Sequence, residues 1–173
     1  MPMRETTKKQ MAESIRGFHL PRFDELPDVG YYLEQTVLYI NQCIAPLGCA
    51  PITSSMISNY VKQNVISAPV KKQYDKEQIA YLIVTAIMKN VLSIEHISKL
   101  FCMQKGVYTV QVAYDYFCSE LENMLFFIYV VSDTVEEIGV TNTDLKTMLR
   151  GVIISVSHMI HLNMCFQAID AEK

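Results

Sequence analysis

The chain has 173 residues, of which half are apolar and 19% are charged, and its formal net charge is −3. This composition excludes a disordered chain and favours a globular protein with one core. Five widely spaced cysteines without a CxxC motif exclude a disulfide framework or a zinc ribbon, so we expect reduced thiols, a cytoplasmic location and no cofactor.

The first part of the chain leads into a predicted support helix. Residues 1–17 are polar and lack the apolar core of a secretory signal, which predicts a flexible N-terminus. Residues 20–27 begin and end near Pro21 and Pro27, which predicts an extended stretch that lays apolar side chains on a core. Helical spacing of apolar residues then predicts a helix over residues 28–45.

A second helix should begin at Thr53 or Ser54, since a hydroxyl there can accept free backbone N–H groups of the first turn. Its apolar side chains should face the core, which leaves a polar outer face. Such a face can enter a major groove and hydrogen-bond base edges or phosphates, although it could equally be only solvated. The candidate DNA contacts on this helix are Ser54, Ser55, Ser58, Asn59, Lys62 and Gln63.

The connection at residues 67–76 carries a proline and two adjacent lysines, and it predicts a wing. A wing that rests on the sugar–phosphate backbone needs cations, hydrogen-bonding groups and an aromatic anchor. Residues 51–105 hold seven basic and three acidic residues, which fits such a role but also fits an ordinary solvated face. The candidate DNA contacts in the wing are Lys71, Lys72, Gln73 and Tyr74.

Asp75 and Ser93 can cap two further helices. The resulting order over residues 53–101 resembles the DNA-binding domain of the mercury-resistance regulator (MerR) family. In that likeness ISNYVKQNVISAP stands at the recognition helix, KKQYDKEQIAYL at the wing and next helix, and NVLSIEHISKLF at a short helix. The resemblance implies a winged helix-turn-helix that binds double-stranded DNA and regulates transcription. Lys72 and Gln73 stand where that wing commonly has arginine, and lysine lacks the planar fork of arginine.

A second resemblance covers most of the chain. The segments FHLPRFDELPDVGYYLEQTVLYIN, ITSSMISNYVKQ and KKQYDKEQIAYLI resemble a bacterial family described only as a domain of unknown function, number eighteen thirty-six. This second resemblance implies no activity. The helical spacing along the chain and the first resemblance together predict a mainly α fold. A MerR-like winged helix-turn-helix module would occupy residues 18–105, followed by a C-terminal α-helical hairpin and dimerisation or effector region over residues 106–173.

The C-terminal part should contain two apolar helices. One should cover about residues 108–131 and the other should begin at Thr143, with a turn near residues 136–142 between them. Neither apolar stretch is long and uninterrupted enough to predict a membrane span, so we expect buried helices and no membrane partner. Because one hairpin cannot hide so much apolar surface, it should pack on the first module or on a second copy of the chain, and we predict a homodimer.

Other functions are weaker alternatives. His158, His161 and Cys165 could share a helix face and hold a metal, but packed polar side chains are the commoner explanation. Methionines and tyrosines of the C-terminal part could line a pocket for a small-molecule effector, or only fill the core. The chain has none of the usual catalytic motifs, so no enzyme is expected. A degenerate helix-turn-helix that binds another protein, or an unrecognised enzyme, stays open as an alternative.

Overall fold

The protein is mainly α-helical, as the sequence predicts. A computed structural model describes residues 3–139 and 142–171, and within them seven α-helices accompany one antiparallel pair of short strands. The elements in chain order are α1 (Glu5–Arg16), β1 (Tyr31–Tyr32), α2 (Leu33–Ile44), α3 (Ser54–Lys62), β2 (Gln73–Tyr74), α4 (Lys76–Met88), α5 (Ile94–Lys105), α6 (Val110–Ile128) and α7 (Asp144–Ala171).

Four helices begin where the sequence places their caps. Thr53, Asp75, Ser93 and Thr143 each accept a hydrogen bond from the backbone N–H three residues later, at 2.9 to 3.2 Å. These side chains satisfy donors that the first helical turn leaves unpaired. Helix α2 instead begins later than predicted, because the residues before Leu33 form strand β1 and pair with β2.

The expectation of a flexible N-terminus is wrong for the residues that form α1. Met11 and Ile15 lie one helical turn apart and are buried, so this short helix has an apolar stripe that packs on the body. Helix α1 contacts α6, and Thr7 and Met11 lie near Ala168 of α7. A stripe of two residues within a polar segment is a weak sequence signal.

Residues 20–27 lie across α6, as an extended stretch with one short 3-10 turn. Tyr114 Oη donates a hydrogen bond of 2.9 Å to the carbonyl of Pro21, and the backbone N–H of Phe23 donates to Asp115 Oδ1 at 2.8 Å. Leu20 is fully buried beside them. The N-terminal module and the C-terminal helices consequently share one hydrophobic core.

Helices α6 and α7 run parallel, so the predicted hairpin is wrong. Contacts join them in ascending order along both helices: Tyr108 with Thr143, Glu120 with Arg150, and Tyr129 with Met164. An antiparallel hairpin would pair residues in opposite order. The connection after residue 129 returns along α6, and Asn123 holds it there by hydrogen bonds with the backbone of Glu136. Residues 140 and 141 of the predicted turn lie outside the described residues.

Helix α7 is buried on one side only, which corrects the expectation of a buried helix. Leu145, Ile153, Val156 and Ile160 face the core. Met148, Met159, Leu162 and Phe166 are exposed on the other side. By length and composition alone α7 could also cross a membrane.

Candidate nucleic-acid interface

The outer face of α3 is polar and accessible. Ile57 and Tyr60 are buried and fix the inner side of the helix. Among the candidate contacts, the exposed side chains are Ser55, Asn59, Lys62 and Gln63, and Ser58 is half-buried. Residues 55, 58, 59 and 62 lie three or four positions apart, so they share one helix face. This face can present two hydroxyls, an amide and a cation to a ligand.

The beginning of α3 is anchored to α2. Asn41 of α2 accepts a hydrogen bond from the backbone N–H of Ile52 at 2.8 Å and donates one to its carbonyl at 3.0 Å. Ser54 Oγ donates to Glu34 Oε1 at 2.8 Å. The predicted contact Ser54 is therefore already hydrogen-bonded, and the carboxylate beside it disfavours a phosphate at this end of the helix.

The predicted wing is a tight hairpin. Val70 and Gln73 exchange two backbone hydrogen bonds of 2.9 and 3.1 Å, with Lys71 and Lys72 as the two residues between them. Both lysines have left-handed backbones, with φ of 51° and 64°. Two-residue turns of this kind favour Asn and Gly, because a side chain makes positive φ unfavourable. The hairpin thus displays two adjacent cations on a strained turn.

The base of the hairpin is held by aromatic and close backbone contacts. Tyr74 is only 4% exposed and pairs with Tyr31 across the two strands. It can anchor the hairpin, but the expectation that its side chain contacts DNA is wrong, since the body covers it. Gly30 lies against Gln73, where an added Cβ would come within 2.9 Å of the Gln73 Cβ. A glycine directly before a pair of tyrosines was the sequence signal for this close approach.

Three lysines in this region keep their charge available. Lys62, Lys71 and Lys72 are exposed and have no ion-pair partner within the described parts of the chain. By contrast, Lys76 pairs with Asp28, and Lys99 pairs with Glu95 at 2.7 Å. The net positive charge that the sequence indicates for residues 51–105 is therefore accessible mainly on α3 and the hairpin.

The candidate metal ligands lie on α7, away from this region. Cys165 Sγ is 3.6 Å from His161 Nε2, and the ring of His161 packs on the edge of Tyr129. Burial lowers the pKa of His161, so its ring favours the neutral form. His158 is exposed, and the described residues contain no group of three His, Cys, Asp or Glu side chains arranged to hold a metal ion.

Comparison with known proteins identifies a family for this chain. No curated protein and no solved structure matches the chain. A family model described as "Domain of unknown function (DUF1836)" matches residues 21–117, which run from the segment across α6 to the middle of α6 itself. This range covers more than half of the chain and includes α3, the hairpin and the helices that support them. The chain belongs to this family.

Proposed function

We propose that the protein is a DNA-binding transcriptional regulator of the MerR-like winged helix-turn-helix type, which acts in the cytoplasm as a homodimer. Helix α2 would serve as the support helix, α3 as the recognition helix in the major groove, and the hairpin as the wing on the phosphate backbone. The proposal assigns binding and no catalysis to the protein.

The observation that carries the proposal is the turn formed by Lys71 and Lys72. Two lysines occupy positions where their backbones are strained and where their like charges lie side by side. Such a turn contributes nothing to stability that Asn and Gly would not provide better. Contact of both ammonium groups with the phosphates of a polyanion would explain why two lysines occupy this turn.

The homodimer is supported by the exposed side of α7. Met159, Leu162 and Phe166 are spaced by three and four residues, as in the seam of a packed helix pair, and Phe166 is 62% exposed. A second copy of α7 would cover this stripe. Two copies of α3 could then address two half-sites on one side of the duplex.

Salt dependence of binding to duplex DNA tests the proposal. Lys62, Lys71 and Lys72 of both protomers would give about six phosphate contacts per dimer, so log K plotted against log salt should have a slope of about −5. The double variant Lys71→Asn, Lys72→Gly keeps residues suited to the turn and should reduce the slope to about −2. The measurement is fluorescence anisotropy with a labelled duplex of mixed sequence between 50 and 200 mM salt, where phosphate contacts dominate.

A matched control is available on α1. Lys8 and Lys9 are also adjacent and exposed, so the variant Lys8→Gln, Lys9→Gln removes the same charge elsewhere. This control should bind DNA as the wild type does. An equal reduction of the slope in both double variants would show that only the net charge of the protein matters, and it would refute the wing assignment.

A protein-interaction module with a degenerate helix-turn-helix is the second candidate, and exposed apolar side chains around the hairpin favour it. Val29, Tyr32 and Val70 are each more than half exposed, and Val70 is 71% exposed. Phosphates would not use these side chains, whereas a protein partner could. Absence of DNA binding by the wild type even at 50 mM salt would favour this candidate over the first.

A further inference from the structure

An apolar cavity lies between the helices of the proposed DNA-reading module and the C-terminal helices. It has a volume of about 170 Å³, and its walls come from α4, α5, α6 and the first turns of α7. Six aromatic rings line the walls: Tyr81, Phe101, Tyr108, Tyr114, Tyr116 and Phe117. An engineered apolar cavity of about 150 Å³ accepts a benzene ring, so this space suits one aromatic ring.

Both polar side-chain atoms of the buried Gln104 in the wall are hydrogen-bonded. Gln104 is 6% exposed, accepts a hydrogen bond from Tyr81 Oη at 2.6 Å, and donates one to the carbonyl of Tyr108. These bonds fix one wall of the cavity. The other residues that line it from α4 and α5 are mostly apolar, so this wall favours an apolar ring.

The opposite wall carries polar groups that the fold leaves available. Tyr116 Oη is buried and has no hydrogen-bond partner among the residues described. Burial raises the pKa of Tyr116 to about 12, so the hydroxyl keeps its proton and can donate it. A buried hydroxyl without a partner is costly, and a ligand oxygen would relieve that cost.

The charges around this wall favour an anion. Lys146 Nζ lies 5.7 Å from the centre of the Tyr116 ring and donates one hydrogen bond of 2.9 Å to the carbonyl of Gly139. An ammonium group has three N–H donors, so that bond does not exhaust it. The carboxylate of Glu120 lies beyond, where Arg150 Nε is 3.0 Å from its Oε1. Neither member of this ion pair lines the cavity, so Lys146 is the charged side chain among the described lining residues.

We propose that this cavity binds a small single-ring aromatic carboxylate, with the ring among the aromatic side chains and the carboxylate at Tyr116 and Lys146. The ring would replace empty apolar space, while the carboxylate accepts from the tyrosine hydroxyl and pairs with the ammonium group. Because the occupant touches helices of both parts of the protein, it would tie the arrangement of α4 and α5 to that of α6 and α7.

The test is direct titration of the full chain by calorimetry with benzoate, phenol, toluene and benzylamine, without DNA. Its outcome is therefore independent of the proposed DNA binding. Benzoate should bind saturably with a Kd at or below about 1 mM. Phenol and toluene should bind more weakly in that order, and benzylamine should be excluded by the ammonium group of Lys146. Absence of saturable binding by all four probes would overturn the proposal.

Variants locate the site. Tyr116→Phe should weaken the binding of benzoate by roughly fivefold and leave the affinity for toluene unchanged, because only benzoate accepts a hydrogen bond from the hydroxyl. Lys146→Gln should weaken benzoate by about tenfold. The matched control Tyr129→Phe removes the hydroxyl of a buried tyrosine that contacts Met164 outside the cavity, and it should change neither affinity.

Filling the cavity provides the second check. Ala113 lines it from α6, so Ala113→Leu should place a side chain in the space and abolish binding of both benzoate and toluene. Unchanged affinity in Ala113→Leu, or equal loss in Tyr116→Phe and Tyr129→Phe, would place the ligand elsewhere and overturn the proposal.

Discussion

Lys71 and Lys72 occupy the two central positions of one hairpin turn, and both have left-handed backbones. A side chain makes positive φ unfavourable, so this turn is less stable with two lysines than it would be with Asn and Gly. We therefore expect the double variant Lys71→Asn, Lys72→Gly to raise the free energy of unfolding by about 0.5–2 kcal/mol, because these residues favour positive φ. Urea denaturation measures the change.

The same pair of substitutions on α1 serves as the control for that prediction. Lys8→Asn, Lys9→Gly places poor helix formers within a helix and should lower the free energy of unfolding by about 1 kcal/mol. A decrease in both double variants would contradict the assignment of strain to the hairpin turn.

The ion pair between Arg22 and Glu122 should be a major contributor to stability. Two hydrogen bonds of 2.8 and 2.7 Å join the guanidinium to the carboxylate, which also accepts from the backbone N–H of Leu20. Glu122 is 8% exposed, so Arg22→Gln would leave a largely buried carboxylate without its cation. We expect a loss of about 2–4 kcal/mol by urea denaturation. Arg16→Gln, which breaks an exposed pair with Glu13, should change stability by less than about 1 kcal/mol.

Glu120 should make the folded protein less stable as pH rises. Its carboxyl is 1% exposed, and burial raises its pKa, although Arg150 opposes the shift. Between the unfolded pKa of about 4.3 and the raised folded pKa, the folded chain binds more protons than the unfolded one. The free energy of unfolding that Glu120 contributes therefore falls as pH increases through this window. Glu120→Gln removes this effect. The free energy of unfolding of the variant should therefore increase relative to that of the wild type as pH rises.

Glu95 gives a control of opposite sign for the pH measurement. Its hydrogen bond with Lys99 lowers the pKa of this exposed carboxyl. The stability that Glu95 contributes is present above the unfolded pKa and is lost as pH falls through the folded pKa. The free energy of unfolding of the wild type should therefore increase relative to that of Glu95→Gln as pH rises. Thermal unfolding of all three proteins from pH 4 to pH 8 compares them, and parallel curves for wild type and Glu120→Gln would contradict the prediction.

The exposed stripe of α7 predicts the oligomeric state. Light scattering should give twice the chain mass of 19.8 kDa for the wild type at micromolar concentration. Leu162→Glu with Phe166→Glu should give the monomer mass, because two carboxylates per chain would enter an apolar seam. Asn163→Glu changes an exposed neighbour outside the stripe and should leave the dimer intact. A monomer mass for the wild type would contradict the prediction that α7 forms a dimer interface.

The starts of the helices could be predicted from the sequence because they depend on nearby residues. Features that depend on contacts between distant segments could not. The hydroxyls of Thr53, Ser93 and Thr143 act on N–H groups only three residues away, so their role is visible in the sequence itself. The direction of α7 depends instead on how the connection after α6 packs, and loop length alone permits either direction. Helix α1 was missed because its stability comes from burial of Met11 and Ile15 against other elements.

The candidate interface could be predicted only in part, because some of its features depend on nearby residues and others on distant contacts. Helical spacing places Ser55, Asn59 and Lys62 on one face, and the structure has them exposed together. The turn at Lys71 and Lys72 has none of the Asn or Gly residues that mark such turns, so its tight geometry was not visible. The burial of Tyr74 depends on pairing with Tyr31, which lies far away in the chain.

The stretch of residues 20–27 across α6 has a consequence for synthesis of the protein. Leu20 and Glu122, which share a hydrogen bond, are separated by 102 positions. At about 5–20 residues per second, Glu122 is made roughly 5–20 s after Leu20. During that interval the early segment lacks the α6 surface on which it packs. The part of the core that joins this segment to α6 can therefore form only after α6 has been made.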